Sequence, residues 1–325
     1  MSKLVNYVGI DVSKKTFDTA FDVNGKIKHE AFANNEKGFK LILSKLPAGS
    51  HCVMEVTGIY YLKLATYLYD HQIPVSVINP LVIKRFSQMQ LNRTKTDKAG
   101  AKIIYNYAKM QQPDAWKPEA GHVLELKQNQ AALENLISVK TSFLNQLEAF
   151  SNSTAKNPML IKSINSIIKK TEKEIKNIET QMQKIVKEHY SEMFKQLKSI
   201  PGIGNKTAIM LIAITNGFEN FSSSKKLSCY IGMCPRIFES GTSVKGKAKI
   251  SKMGAGRIRA LLFMCAMASL KSNKACKQLY NRITEKGKNG RLALIAVANK
   301  LIKQAFAIAT KKLSYDENYL KKTWI

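Results

Sequence analysis

Between residues 161 and 185, Ile161, Ile164, Ile168, Thr171, Ile175, Ile178, Met182 and Ile185 recur at alternating steps of three and four. Apolar residues at that spacing lie on one stripe of a long helix. A helix of this kind is marginal by itself and must bury its stripe against a second one. Residues 124–150 carry a looser helical pattern, and Asn152 to Pro158 breaks the two. An antiparallel helical hairpin or coiled coil is therefore expected. It suits an arm or an oligomerisation element better than a catalytic one, and the plainer alternative is an ordinary bundle core. The hairpin divides the chain into residues 1–120, 121–195 and 196–325.

The segment before the arm alternates strand and helix signals. Tyr7 to Val12 reads as a buried strand. Residues 16–22 and 26–32 flank Asn24-Gly25, a strong hairpin signal. Residues 36–46 have helical spacing, Cys52 to Val56 reads as a strand and Tyr60 to Tyr69 as a helix. Pro74 to Ile78 gives a further strand, ended by Asn79-Pro80, and residues 97–110 a helix. The pattern predicts an α/β unit: a mixed sheet with helices packed on it.

After the arm the chain is predicted to be mainly helical. Leu197 to Ala208 contains Pro201-Gly202-Ile203-Gly204, which fits a helix-hairpin-helix. Such a turn aims backbone N–H groups, a helix N-terminus and here Lys206 at one phosphate without reading sequence. The plain alternative is a tight turn between core helices. Residues 254–270 and 290–311 read as further amphipathic helices.

Charge narrows the partners. The chain carries a net +29, distributed as +7 over residues 1–120, +4 over 121–200 and +18 over 201–325. That field attracts polyanions, nucleic acid first. Between Ser240 and Arg259 stand Lys245, Lys247, Lys249, Lys252, Arg257 and Arg259 with no acid, interleaved with glycines that let the backbone approach a phosphate. The longest apolar run, Ala260 to Ala268, is short of the about 20 residues that span a membrane. No signal peptide is visible, so a cytoplasmic protein without a membrane partner is expected. Cys52, Cys229, Cys234, Cys265 and Cys276 form no close pair and are expected to be free, buried thiols.

Four residues stand out chemically. Asp11 lies in an otherwise apolar strand, where a carboxylate is costly unless paired or holding a metal. Glu55 has the same place in a second strand, and Asp97 opens a helix. Three such acids converging at a sheet edge would suit Mg²⁺ and phosphodiester chemistry. Taken singly, Asp97 fits an N-cap and Asp11 a turn cap equally well. Ser240, between Glu239 and Gly241 and close to lysines, has the surroundings of a phosphoryl-transfer nucleophile. Thr242 and Ser243 compete for that role, and a polar loop is the plain alternative.

Gly9-Ile10-Asp11, Glu55-Val56-Thr57-Gly58, Val77-Ile78-Asn79-Pro80, Lys95-Thr96-Asp97, Ile200-Pro201-Gly202-Ile203-Gly204 and Glu239-Ser240-Gly241 occur in this order along nearly the whole chain. Together they resemble the DEDD transposases of the IS110 insertion sequences, the bridge-RNA-guided recombinases, to which the pilin-gene invertases are related. The resemblance implies a RuvC-like (RNase H fold) domain, a coiled coil and a C-terminal transposase domain. It implies Mg²⁺ on Asp11, Glu55 and Asp97, and Ser240 as a nucleophile that becomes joined to DNA. It further implies donor and target DNA, a structured guide RNA, and dimers that assemble into a tetramer. One position departs: where the family has a fourth acid, three residues after the third, this chain has Gly100. Restoring Asp at position 100 is then expected to raise Mg²⁺-dependent exchange. The rival expectations are an invertase that reads DNA without RNA, a Holliday-junction nuclease that uses only the acids, and a nucleic-acid-binding copy impaired by Gly100.

Overall fold

The computed structural model describes residues 5–56, 58–91, 96–154, 157–236, 239–240, 244–245, 249–254 and 256–318, with backbone alone at 97, 239, 240, 244 and 245. They fall into two units, Met1–Glu119 and Ala120–Ile325.

The first unit is built on a five-stranded mixed sheet. β1 (Asn6–Val12), β2 (Thr16–Val23) and β3 (Lys26–Ala33) form an antiparallel meander; β4 (Ser50–Glu55) and β5 (Val75–Ile78) continue it in parallel, in the order β3-β2-β1-β4-β5. Asn24 and Gly25 close the β2–β3 hairpin with φ of 54° and 80°, the backbone a tight two-residue turn requires, and Asp22 accepts a bond from the Gly25 N–H at 2.8 Å. Asn35 caps α1 (Glu36–Lys45) by accepting from the Gly38 N–H at 3.1 Å. α1 and α2 (Tyr60–Asp70) cover one face of the sheet, where Val8, Ile10, Val12, Cys52 and Met54 meet Phe39, Ile42, Leu64 and Leu68. The other face meets α3 (Pro80–Met89) and α4 (Asp97–Gln111), with Val53 against Ile83, Ile104 and Ala108. Asn79-Pro80 ends β5 as expected but also starts α3, which the sequence pattern did not predict: the Asn79 side chain accepts from the Leu81 N–H at 2.9 Å, and Pro80 takes the first helical position, where it needs no N–H partner.

The second unit begins with α5 (Gly121–Ser151) and α6 (Pro158–His189), an antiparallel helical hairpin. The 161–185 stripe faces inward, with Ile164, Ile168, Thr171, Met182 and Ile185 buried. The root of the hairpin shares one apolar core with α7 (Ser191–Lys198), α8 (Asn205–Thr215), α9 (Ser224–Ile231), α10 (Gly256–Ser269), α11 (Lys274–Thr284) and α12 (Gly290–Lys311). α12 is long and apolar enough to cross a membrane by length and composition. Its Val297, Ala298, Leu301, Ile302 and Ala305 are buried in this core. Two short ladders lie between α9 and α10. β6 (Pro235–Arg236) pairs with β9 (Lys249–Ile250), and β7 (Glu239–Ser240) with β8 (Val244–Lys245).

Candidate catalytic and nucleic-acid-binding sites

Asp11 and Glu55 come together by sheet register. β1 and β4 run parallel with Ile10 opposite Met54, so Asp11 and Glu55 follow as neighbours at the C-terminal ends of adjacent strands. Strand alternation turns both away from the Ile10–Met54 face and toward the side that α4 covers. α4 approaches β1 backbone to backbone: a Cβ on Gly9 would lie 2.7 Å from the Tyr105 Cα and collide with the Ala101 carbonyl. One helical step nearer the N-terminus, Gly100 faces Asp11 itself, and a Cβ there would fall on the Asp11 carboxylate, 3.0 Å from its Cγ. Asp97 is the first residue of α4 but not its cap; Thr96 holds that place, its hydroxyl accepting from the Ala99 N–H at 3.2 Å. The Asp97 side chain lies outside the described residues, as do Thr57 and Lys95. Among the described residues no group of three His, Cys, Asp or Glu side chains is placed to hold a metal ion. The described donors are nonetheless all carboxylate oxygens, the chemistry a hard divalent cation takes.

A further carboxylate escaped the sequence reading. Asp18, on β2, is the register partner of Asp11 and is nearly buried, with His29 Nε2 2.9 Å from its Oδ1. Its signal was there in principle: Asp18 is polar within the apolar-rich run Thr16 to Phe21.

In the second unit, α7, the turn after it and α8 form the expected helix–turn–helix. Ile200 and Ile203 are buried, and Gly202 has φ of 103°, a left-handed value that favours glycine. The two glycines differ in surroundings. Gly202 is backed against α10, where an added Cβ would lie 2.6 Å from the Ser269 Cβ, whereas nothing lies within 4 Å of one on Gly204. The open side of the turn is thus Gly204, Asn205 and Lys206, at a helix start with no side-chain cap. Lys206 is paired with Glu179 of α6 at 2.6 Å. Asn205, Lys206 and Glu179 line a cavity of about 510 Å³ together with Lys176, Gln183 and Arg257.

Ser240 ends β7 opposite Val244, so the Ser240 backbone sits at the base of a tight hairpin. The side chains of Ser240 and Lys245, and residues Gly241, Thr242, Ser243, Gly246 and Lys247, lie outside the described residues. Lys249 and Lys252 are exposed. Arg259 is engaged locally: its Nη1 donates to the Ile231 carbonyl at 2.8 Å and to the Gly254 carbonyl at 3.2 Å, tying the end of α9 to the start of α10. The five cysteines are free, but Cys229 is exposed and Cys234 only partly buried, against the expectation that all five are buried; Cys229 lies on the outer side of α9, whose Leu227, Ser228 and Ile231 are buried. Burial pushes the Cys52 thiol up to about 12.

The root of the arm carries an aromatic cluster. His122 of α5 stacks on His189 of α6 with ring centroids 4.0 Å apart, and its Nε2 lies 3.1 Å from the Tyr190 hydroxyl. Burial, then the neighbouring His189, hold the His122 pKa below the ordinary histidine value, against a weaker upward pull from Glu219.

Residues 8–154 match the DEDD transposase family of IS110 elements, and residues 194–281 match the family described as Transposase IS116/IS110/IS902. The chain is 30% identical to the pilin gene-inverting protein of Moraxella bovis over 332 residues, 98% of this chain and 99% of that one. It is 24% identical to the transposase for insertion sequence element IS1111A of Coxiella burnetii over 349 residues, 96% of this chain and 92% of that one.

Proposed function

Since the chain belongs to the IS116/IS110/IS902 transposase family, whose members are enzymes of DNA recombination, we propose that it cuts and exchanges DNA strands with two separate sets of groups. The first unit is a RuvC-like domain in which Asp11, Glu55 and Asp97 hold Mg²⁺. The second carries the nucleophile, Ser240, whose hydroxyl oxygen attacks the scissile phosphorus and expels the 3′ or 5′ hydroxyl of the cut strand. The strand stays joined to serine until a new terminal hydroxyl displaces it, so one phosphodiester is conserved through the exchange. Mg²⁺, when bound, supplies charge neutralisation at the scissile phosphate. The register of Asp11 beside Glu55 carries this reading, because it puts two acids from distant sequence on one sheet edge beneath α4.

The residues around Ser240 serve the DNA rather than the bond. Gly204 leaves the helix start open to a backbone phosphate, and Lys206, Lys245, Lys247, Lys249, Lys252 and Arg257 neutralise backbone phosphates. Arg259 positions the start of α10 through its two carbonyl contacts. Breaks are made in pairs, so the working form is an oligomer, with dimers assembling into a tetramer on donor and target DNA in the bacterial cytosol. A structured guide RNA supplies the choice of sequence.

Full-length similarity to a pilin gene-inverting protein favours a second reading, inversion of a DNA segment without RNA. Purifying the native protein from its host and sequencing the bound nucleic acid separates the two. A discrete RNA of fixed sequence supports guidance, and recombination by RNA-free protein refutes it. Asp11→Asn is expected to abolish exchange in either case, and activity at the wild-type rate would remove the acidic site from the mechanism.

A further inference from the structure

The departure at Gly100 looks like a lost ligand in the sequence, but in the fold it is occupied space. The Asp11 carboxylate lies where a side chain at position 100 would begin; a Cβ built there falls on Oδ2 and stands 3.0 Å from Cγ and 3.5 Å from the Asp11 Cβ. α4 is seated directly on this strand, its backbone at Ala101 and Tyr105 resting on Gly9, two residues before Asp11 in β1. Of the parts in contact, the one that yields most readily is the Asp11 carboxylate, the free end of a side chain and not packed backbone. The carboxylate yields by turning about its broad terminal torsion or by changing its χ1 well, and either motion carries its oxygens off their present positions.

On the proposed metal-binding role of Asp11, we infer that Gly100 is a positioning residue, its missing side chain being the room that fixes the Asp11 carboxylate. Position 100 then contributes through Asp11, and an acid placed there displaces an existing ligand instead of adding a new one. This reverses the expectation that Asp at position 100 raises activity. It also separates the chain from a merely impaired copy, in which position 100 would be indifferent to a small side chain.

The test uses full-length protein and Mn²⁺ alone as the probe, with binding read by electron paramagnetic resonance and the thermal midpoint measured without metal. Gly100→Ala is expected to weaken Mn²⁺ at least tenfold and to give no rise in midpoint, although Gly→Ala at an unobstructed helical position raises it. Gly100→Asp is expected to bind Mn²⁺ no more tightly than wild type. In an Asp11→Ala background, where the carboxylate is gone, Gly100→Ala is expected to raise the midpoint. That reversal of sign is something general misfolding would not produce. Wild-type Mn²⁺ affinity in Gly100→Ala with a raised midpoint, or tighter binding in Gly100→Asp, overturns the inference. Equal Mn²⁺ binding by wild type and Asp11→Asn removes the metal role of Asp11 instead, while the metal-free midpoints still decide whether Gly100 fixes that side chain.

Discussion

Gly9 has no side chain because α4 leaves no place for one. An added methyl would meet backbone atoms of Ala101 and Tyr105, which cannot rotate away as a side chain can. Gly9→Ala is therefore expected to destabilise the first unit by about 1–3 kcal/mol, the usual range for overpacking, as measured by denaturant unfolding. An unchanged midpoint would mean that α4 and β1 are not in backbone contact. At this scale the sequence was informative where a residue violates its surroundings. Asp11 and Glu55 were visible as carboxylates in apolar strands, and Asn24-Gly25 as a turn that needs positive φ. It was uninformative where meaning depends on a distant neighbour. Nothing in the spacing of Asp97, Gly100 and Ala101 says that the Asp11 carboxylate lies against the helix, or that Asp18 stands across from Asp11.

Among the elements, α6 was the easiest to read and α5 harder, for one physical reason. The α6 stripe is apolar at nearly every inward position, whereas the buried face of α5 includes Gln130, and Lys140 reaches across to Glu172 at 2.6 Å. Gln130 donates to Glu134 one turn on in the same helix at 2.8 Å, whereas the Lys140 partner is supplied only by the assembled hairpin. The short α9 and the interval now seen as α11 were not picked out; α9 has only eight residues, few repeats from which to judge a period, whereas α11 is as long as α2, which was read. The root of the hairpin should respond to pH. His122 has a lowered folded-state pKa, so the unfolded chain binds the proton more readily. Stability is then present above the unfolded value near 6.5 and is lost as pH falls through it toward the lower folded value. Half-buried His51, on β4 of the first unit, shifts the same way and adds to the slope. His122→Gln is expected to flatten the decline in thermal midpoint between about pH 7 and 5; a decline as steep as in wild type would place the effect elsewhere. The Lys206–Glu179 pair gives a second check. Such an exposed pair contributes about 0–1 kcal/mol to stability, so Glu179→Gln should leave the midpoint unchanged. It should also tighten duplex DNA binding a fewfold by freeing Lys206, and weaker binding would exclude Lys206 as a phosphate contact.

For the molecule as a whole, the net charge of +29 is the property from which a polyanionic partner was read, and +18 of it lies in residues 201–325. A protein neutralising six or more phosphates loses about a thousandfold or more in affinity between about 50 and 200 mM salt. That steep dependence is expected of the second unit, Ala120–Ile325, and a much shallower one of the first, which carries far less excess charge. The two halves of the proposed chemistry are likewise divided, acids in one unit and serine in the other, so neither half alone should exchange strands. The most direct test of that claim is mass spectrometry of the denatured protein after incubation with recombining DNA and Mg²⁺. A nucleotide adduct is expected on the peptide containing Ser240, absent from Ser240→Ala and from Asp11→Asn. Strand exchange by Ser240→Ala, or exchange by wild type with no serine-linked nucleotide, would contradict it.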